Sequence, residues 1–537
     1  MIGIRHRCTT ATVVCVAMLV ALLASCTGGS NAGQPPGNAS ASGKPNVVFV
    51  LTDDLSWNLV QYMPHVQEMQ KHGTTFSNFF VTDSLCCPSR ASIFTGQYPH
   101  NTGVHTNNAP DGGYNAFQKN HDAGKSFGPA LQRAGYRTGF MGKYLNGYQP
   151  GAKNGKGAER AGDAEGVTYS VKATHGGKAK NGKKGKHGKN GNAASSVPPG
   201  WDEWDVAGNG YREFDYDLSE NGKVVHYGNE DKDYLTDVLS SKAQSFVGAS
   251  AKVKKPFMLE VATFAPHAPA TPAPRDADKF SDVKVPRTAT YDRASSPKPQ
   301  WQNNLSPLTP QREQEIDKKF GDRVRSVQAV DAMVGNLEDT LKKQGLADNT
   351  YFVFGSDNGF HMGEYQFRPG KQTAYDTDIK VPLVVTGPAV PADSHVTQLA
   401  ENIDLNPTFQ ELAGVKPPAS VDGRSLAGLL HGKSVDDWRD AVLVEHTRPT
   451  SKAGDPDAQP DDSNPPTYEA VRTADDVYVE YADGDREYYD LKTDPDELKN
   501  LGASVPEDRR ALLHDTLTAL KGCKGTESCH AASRIGE

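Results

Sequence analysis

The sequence predicts an α/β fold: a sandwich around a large, mostly parallel sheet, followed by a smaller C-terminal α+β subdomain. Three observations predict it. Apolar, β-rich runs alternate with segments of helical periodicity through most of the chain, the order that βαβ units require. The first run, residues 46–51, is almost wholly apolar and ends in Thr52-Asp53-Asp54, the pattern of a strand buried on both faces that delivers carboxylates at its C-terminal end. From about Arg439 onward, short strand-like runs separated by turns replace the alternation.

The elements follow in order. Residues 127–133 read as a helix that Gly135 caps, and residues 136–141 as the next strand. Residues 257–261 form another strand candidate. Between 323 and 343, Val327, Val330, Val334, Leu337 and Leu341 recur at helical spacing; Gly345 then breaks the helix before a strand at 351–354. A doubly wound sheet follows, with its binding crevice at the C-terminal ends of the strands. Two stretches break the pattern. Residues 151–191 are dense in Gly, Lys, Asn and Ala and read as a basic low-complexity insertion, a solvated loop rather than a patch attracting polyanionic glycans. Residues 297–311 are irregular. In the C-terminal part, 476–481 and 487–491 read as strands.

At 537 residues the chain can bury a substantial core, and its formal net charge of −8 argues against a general nucleic-acid binder. Arg5 and Arg7 precede an apolar run at 11–23 and then Leu23-Ala24-Ser25-Cys26, which resembles a bacterial lipoprotein signal with Cys26 lipidated as the first mature residue. An ordinary cleaved secretory signal or a retained anchor is the alternative. The expected organisation is a signal segment at 1–26, a polar tether at 27–44, a catalytic domain at 45–438 and the C-terminal subdomain at 439–537. The protein is expected outside the cytoplasmic membrane, anchored through Cys26 or secreted. Cys523 and Cys529 enclose a short loop suited to a disulfide in an oxidising compartment, with two unpaired thiols as the alternative.

The peptide Leu85-Cys86-Cys87-Pro88-Ser89-Arg90-Ala91-Ser92-Ile93-Phe94-Thr95-Gly96 contains C-x-P-S-R followed by Thr-Gly. With it the chain resembles the type I sulfatases, and most closely the N-acetylglucosamine-6-sulfatases and extracellular heparan glucosamine-6-sulfatases. Further matches are Gln97-Tyr98-Pro99-His100-Asn101, Gly142-Lys143-Tyr144-Leu145-Asn146, Tyr234-Leu235-Thr236-Asp237, Asp378-Ile379-Lys380-Val381-Pro382-Leu383 and Tyr489-Asp490-Leu491. The resemblance runs from about 45 to 501 and implies an alkaline-phosphatase-like fold. It also implies that a maturase oxidises Cys86 to formylglycine (3-oxoalanine), whose hydrate carries two hydroxyls on one carbon. One hydroxyl can attack sulfur and the other can later expel sulfate. Unmodified, Cys86 is a buried thiol beside a proline turn.

Asp53 and Asp54 follow one predicted strand, and Asp357 and Asn358 follow another within Gly355-Ser356-Asp357-Asn358-Gly359, so parallel pairing would gather their oxygens. Three carboxylates and an amide suit a hard cation such as calcium, although an isolated Asp-Asp often only caps a helix. The resemblance joins Cys86 to this metal set. It also implies that Arg90 positions the formylglycine hydrate, Lys143 contacts aldehyde and sulfate, and His267 and Lys371 bind sulfate and assist the leaving group. One departure stands out: many arylsulfatases carry a histidine two residues after the lysine, where this chain has Leu145. The hydroxyl-activating role then falls elsewhere, with His361 as a candidate.

The expected activity is hydrolysis of a sulfate monoester, the 6-O-sulfate of N-acetylglucosamine or a related unit of a sulfated glycan. The alternatives are a phosphodiesterase or phosphonate hydrolase of the same superfamily, and a glycan-binding lipoprotein in which Cys86 is never modified.

Overall fold

The computed structural model describes residues 43–151, 197–449, 455, 457–458 and 464–535. The signal segment, all but the last two residues of the tether, and all but the first residue of the basic insertion lie outside the described residues. No described helix is long and apolar enough to cross a membrane.

A ten-stranded sheet organises the main body. Its strands are β1 (Asn46–Thr52), β2 (Thr74–Phe76), β4 (Arg137–Lys143), β5 (Glu203–Ala207), β6 (Tyr216–Glu220), β7 (Lys223–Tyr227), β8 (Phe257–Ala262), β9 (Thr350–Ser356), β10 (Leu383–Thr386) and β11 (Ser394–Val396). Two short strands, β3 (Phe79–Phe80) and β12 (Ala400–Glu401), pair separately. The sheet's order is β11-β2-β10-β9-β1-β8-β4-β5-β6-β7. Its centre, β9-β1-β8-β4-β5, is parallel throughout, whereas β10 and the β6-β7 hairpin join antiparallel on either side. The sequence therefore announced the parallel centre and not the antiparallel margins, whose short strands carry weaker periodicity.

β1 explains its own composition. Val47, Phe49 and Leu51 enter the core on one face, and Val48 and Val50 enter the core on the other. Both faces are covered, so no alternation with polar residues survives. On the second face the long helix Pro310–Lys343 packs through Ile316, Phe320, Val324, Val327, Val334 and Leu337. This helix starts well before residue 323 because the i, i+4 pattern Ile316, Phe320, Val324 continues among charged residues that dilute it, and Thr309 caps it by accepting from the Arg312 N–H. The irregular stretch 297–311 holds only a short 3-10 turn, Gln300–Gln302, before this helix begins.

The C-terminal part is an antiparallel meander of β13 (Ala441–His446), β14 (Tyr468–Thr473), β15 (Asp476–Tyr481) and β16 (Arg486–Asp490). The Glu507–Gly522 helix covers it with Leu513, Leu517 and Leu520, one helical face packed against Leu443, Val471 and Tyr478. Buried Arg439 pairs with Glu401 at 3.0 Å and Asp404 at 2.6 Å, tying the start of the meander to the main body. Cys523 and Cys529 form the expected disulfide.

Candidate active site

Parallel register brings distant residues together. Thr52 pairs with Ser356 across β1 and β9, Leu51 with Ala262 across β1 and β8, and Gly142 with Ala262 across β4 and β8. The residues just beyond these pairs are Asp53 and Asp54, Asp357 and Asn358, the 263–267 turn and Lys143, so four strand ends deliver them to one edge, as open α/β sheets commonly do. At Gly142 an added Cβ would stand 1.9 Å from the Ala262 carbonyl oxygen, and φ is +103°, so only glycine lets β4 end this close to β8. Asp54 also has positive φ (66°), an uncommon conformation for a residue with a side chain, in the turn that follows β1.

The signature peptide becomes the helix Cys86–Thr95, all ten residues of which are buried. Cys86 is its first residue, Pro88 is tolerated in the first turn, and left-handed Gly96 (φ 70°) ends it. Arg90, one turn in, reaches Asp357 Oδ2 with Nε at 2.7 Å and donates from Nη1 to the Lys143 carbonyl at 2.9 Å. Cys87 faces elsewhere: Asn146 N–H donates to its Sγ at 3.0 Å, and Asn107 Oδ1 accepts from its backbone N–H at 3.0 Å. It clamps the loop after Lys143, and burial pushes its pKa to about 12.

Cys86 Sγ lies 3.2 Å from Asp53 Oδ1 and 2.9 Å from Lys371 Nζ. Lys143 Nζ pairs with Asp53 Oδ2, and Lys371 Nζ with Asp54 Oδ1 at 2.5 Å. His267 Nδ1 donates to the Ala268 carbonyl at 2.8 Å, which leaves Nε2 facing the cluster, 3.8 Å from Asp54 Oδ2. All nine residues singled out for metal or sulfate chemistry, Asp53, Asp54, Cys86, Arg90, Lys143, His267, Asp357, Asn358 and Lys371, thus meet in one buried network.

Electrostatics in this network oppose ordinary thiol chemistry. Burial, helped by the Asp457 and Asp53 carboxylates, drives the Cys86 pKa far above its usual value, so the thiol stays protonated and is a poor nucleophile. Burial pushes the lysines down, but for Lys143 the Asp53 carboxylate outweighs it, and for Lys371 the Asp457 and Asp54 carboxylates do, so both remain cationic. For His267 too burial is overcome, by Asp54, Asp457 and Asp53, and its pKa rises. Asp53 is held below the usual carboxylate range because Lys143, His267, Arg90 and Lys371 together overcome its burial.

The donor set fits a hard cation. Asp53, Asp54, Cys86 and His267 offer ligand atoms within 4.8 Å of one another. Asp54 Oδ2 and Asn358 Oδ1 are buried without a hydrogen-bond partner, while Asn358 Nδ2 is committed to Asp54 Oδ1 at 2.7 Å. Orphaned buried oxygens are costly unless something positive meets them.

His361 stands apart from this set. Its Nδ1 is 3.0 Å from both Asp378 oxygens, and its backbone exchanges hydrogen bonds with Gly370 at 2.8 and 3.1 Å, so it braces the turn that carries Lys371. Four residues escaped the sequence reading. Arg323 donates to the carbonyls of Asp54 at 2.5 Å and Pro266 at 3.3 Å. Tyr211 packs at a tilt against His267 with ring centroids 4.5 Å apart and lies under Lys143 Nζ at 5.0 Å. Asn107 Nδ2 donates to Asp455 at 3.1 Å and to Asp457 at 2.7 Å. Asp457 reaches the cluster from between β13 and β14. Arg323 sat unnoticed in a long amphipathic helix, and no local motif distinguishes the other three.

The sulfatase family description matches residues 45–415, most of the chain. This chain belongs to the sulfatase family. It is therefore a sulfuric ester hydrolase, and its sheet and C-terminal meander are those of an alkaline-phosphatase-like fold. A second description, the C-terminal region of N-sulphoglucosamine sulphohydrolase, matches residues 363–522 of this sulfatase. It is 33% identical to the N-acetylglucosamine-6-sulfatase of Homo sapiens over 95% of this chain and 89% of that protein. It is 32% identical to the putative extracellular sulfatase Sulf-1 homolog of Caenorhabditis elegans over 74% of this chain, and spans about half (52%) of that relative's length. Among solved structures, one of an enzyme in complex with its substrate D-glucosamine-2-N,6-O-disulfate matches with a TM-score of 0.68 at 23% identity, covering 88% of this chain and 97% of that one.

Proposed function

We propose that this sulfatase removes the 6-O-sulfate of N-acetylglucosamine, or of a related glucosamine unit in a sulfated glycan, using Cys86 as formylglycine and one calcium ion. The observation that carries the mechanism is the placement of Cys86 against Asp53 and Lys371, in a setting where its own thiol is inert. The substrate follows from the relation to the human glucosamine-6-sulfatase along nearly the whole chain.

Residue 86 as a hydrated formylglycine would supply one hydroxyl for attack on sulfur and a second whose deprotonation expels sulfate as the aldehyde re-forms. A cation held by Asp53, Asp54, Asp357 and Asn358 would supply Lewis acidity toward a sulfate oxygen and the attacking hydroxyl. The chain's own residues do the rest. Arg90, fixed by Asp357 and the Lys143 carbonyl, orients residue 86 from one turn along the helix. Lys143, Lys371 and His267 present positive charge and N–H donors to the sulfate oxygens, in a buried setting where such interactions are strong. His267, whose Nε2 faces the cluster, donates a proton to the departing sugar oxygen. The Cys523–Cys529 disulfide supports export, since such bonds persist mainly in oxidising compartments, and the lipid anchor at Cys26 belongs to the same proposal.

Two measurements test this reading. In protein from its own host, the peptide containing Cys86 should show sulfur and two hydrogens replaced by one oxygen, with Cys87 still a thiol; full sulfatase activity with unmodified Cys86 refutes the mechanism. Purified enzyme should release sulfate from N-acetylglucosamine-6-sulfate faster than from 2-O- or 3-O-sulfated sugars. Equal kcat/KM at all positions, or higher activity on phosphate diesters or phosphonate esters, refutes the substrate.

A further inference from the structure

Asp457 places a carboxylate inside the cluster. Its Oδ1 is 2.8 Å from His267 Nε2 and 3.0 Å from Lys371 Nζ, and its Oδ2 is 3.5 Å from Cys86 Sγ. These are the side chains that the proposed mechanism gives to the sulfate group and to the nucleophile. A carboxylate offers them two anionic oxygens on one central atom, as a sulfate ester does, and a second anion cannot occupy the same donors.

The carboxylate is also held from behind. Asn107 Nδ2 donates to Asp457 Oδ2 at 2.7 Å and to Asp455 Oδ1 at 3.1 Å, and Asp455 Oδ1 accepts from the Asp457 N–H at 3.0 Å. Gln372, next to Lys371, donates from Nε2 to the Asp457 carbonyl at 3.2 Å. Asp457 is buried, although no helix or strand carries it. Two amide side chains and one carboxylate therefore seat it.

We propose that Asp457 is an internal anion that competes with the sulfate group for His267 and Lys371, so that sulfate binds these donors only by displacing this carboxylate. The inference rests on reading those two residues as sulfate-binding groups. Its consequence is quantitative: the apparent affinity for any sulfate ester is lowered by the fraction of molecules in which Asp457 occupies the pocket.

The test uses the full chain as wild type, Asp457→Asn, Asp457→Ser and Lys371→Ala. Inorganic sulfate is titrated calorimetrically, and KM is measured for an aryl sulfate. Both Asp457 variants should bind sulfate about tenfold more tightly and show a correspondingly lower KM, because the competing charge is gone. Unchanged or weaker sulfate binding in both overturns the inference, as does a loss of calcium affinity, which would make Asp457 a cation ligand. The two readings fail separately. Sulfate binding that depends on Lys371 but not on Asp457 defeats only the internal anion, whereas binding indifferent to Lys371 defeats the sulfate-site assignment beneath it.

Discussion

Glu260 offers the sharpest test of how this core handles charge. It lies in β8 between Phe49 of β1 and Phe140 of β4, fully buried, and neither carboxylate oxygen has a hydrogen-bond partner. Burial raises its pKa from 4.5 to about 8, with only the charge of Arg90 opposing. The unfolded chain releases this proton at an ordinary pH while the folded one retains it, so the group's contribution is fully present below about pH 4.5 and is lost as pH rises through about 8. The shift amounts to about 5 kcal/mol across that window. Glu260→Gln keeps the shape and removes the titration. Urea unfolding at intervals from pH 4.5 to 8.5 should therefore show wild-type stability falling relative to the variant by a few kcal/mol, with the curves converging at the acid end. Parallel curves, or a wild type that gains on the variant as pH rises, would refute the reasoning.

Other residues give shorter tests. Asp54→Ala should weaken calcium binding by at least tenfold in a fluorescence or calorimetric titration, since it removes a buried orphan oxygen facing the proposed site; unchanged affinity would remove Asp54 from the ligand set. His267→Gln should lower kcat about 100-fold or more on a sugar sulfate and far less on an aryl sulfate, whose leaving group needs little protonation. An equal loss on both substrates would assign His267 to binding alone. Arg439→Ala should cost about 3–5 kcal/mol in chemical denaturation, because Glu401 and Asp404 would be left buried without their cation.

What could be read from the sequence depended on how locally each signal was written. β1 declared itself through unbroken apolar residues and a terminal Asp-Asp, and the later part of the long helix, 323–343, through its valine and leucine spacing, since burial imprints directly on such segments. The nine candidate residues that the structure brings together could be singled out because motifs flank each of them. Long-range partners left no such mark: Arg323 contributes through two backbone carbonyls, Tyr211 through a ring face, and Asp457 through a segment whose composition reads as an ordinary turn. The antiparallel margins of the sheet were hidden for a related reason. Strand direction is set by which edge a segment reaches, a property of the whole topology.

The burial of the Cys86–Thr95 helix sets an order of events in the life of the molecule. Every residue of that helix is enclosed, and Cys86 itself has no exposed surface. Any enzyme that oxidised Cys86, as the proposed mechanism requires, would have to reach this peptide, and the finished fold exposes none of it. On the proposed mechanism the conversion would therefore precede closure of the sheet and helices over the signature. On the same reading, chains that fold first keep Cys86 as a buried thiol and lack the proposed nucleophile. The specific activity of a preparation then measures a race between oxidation and folding, and slowing the folding of this region should raise the active fraction without altering the enzyme itself.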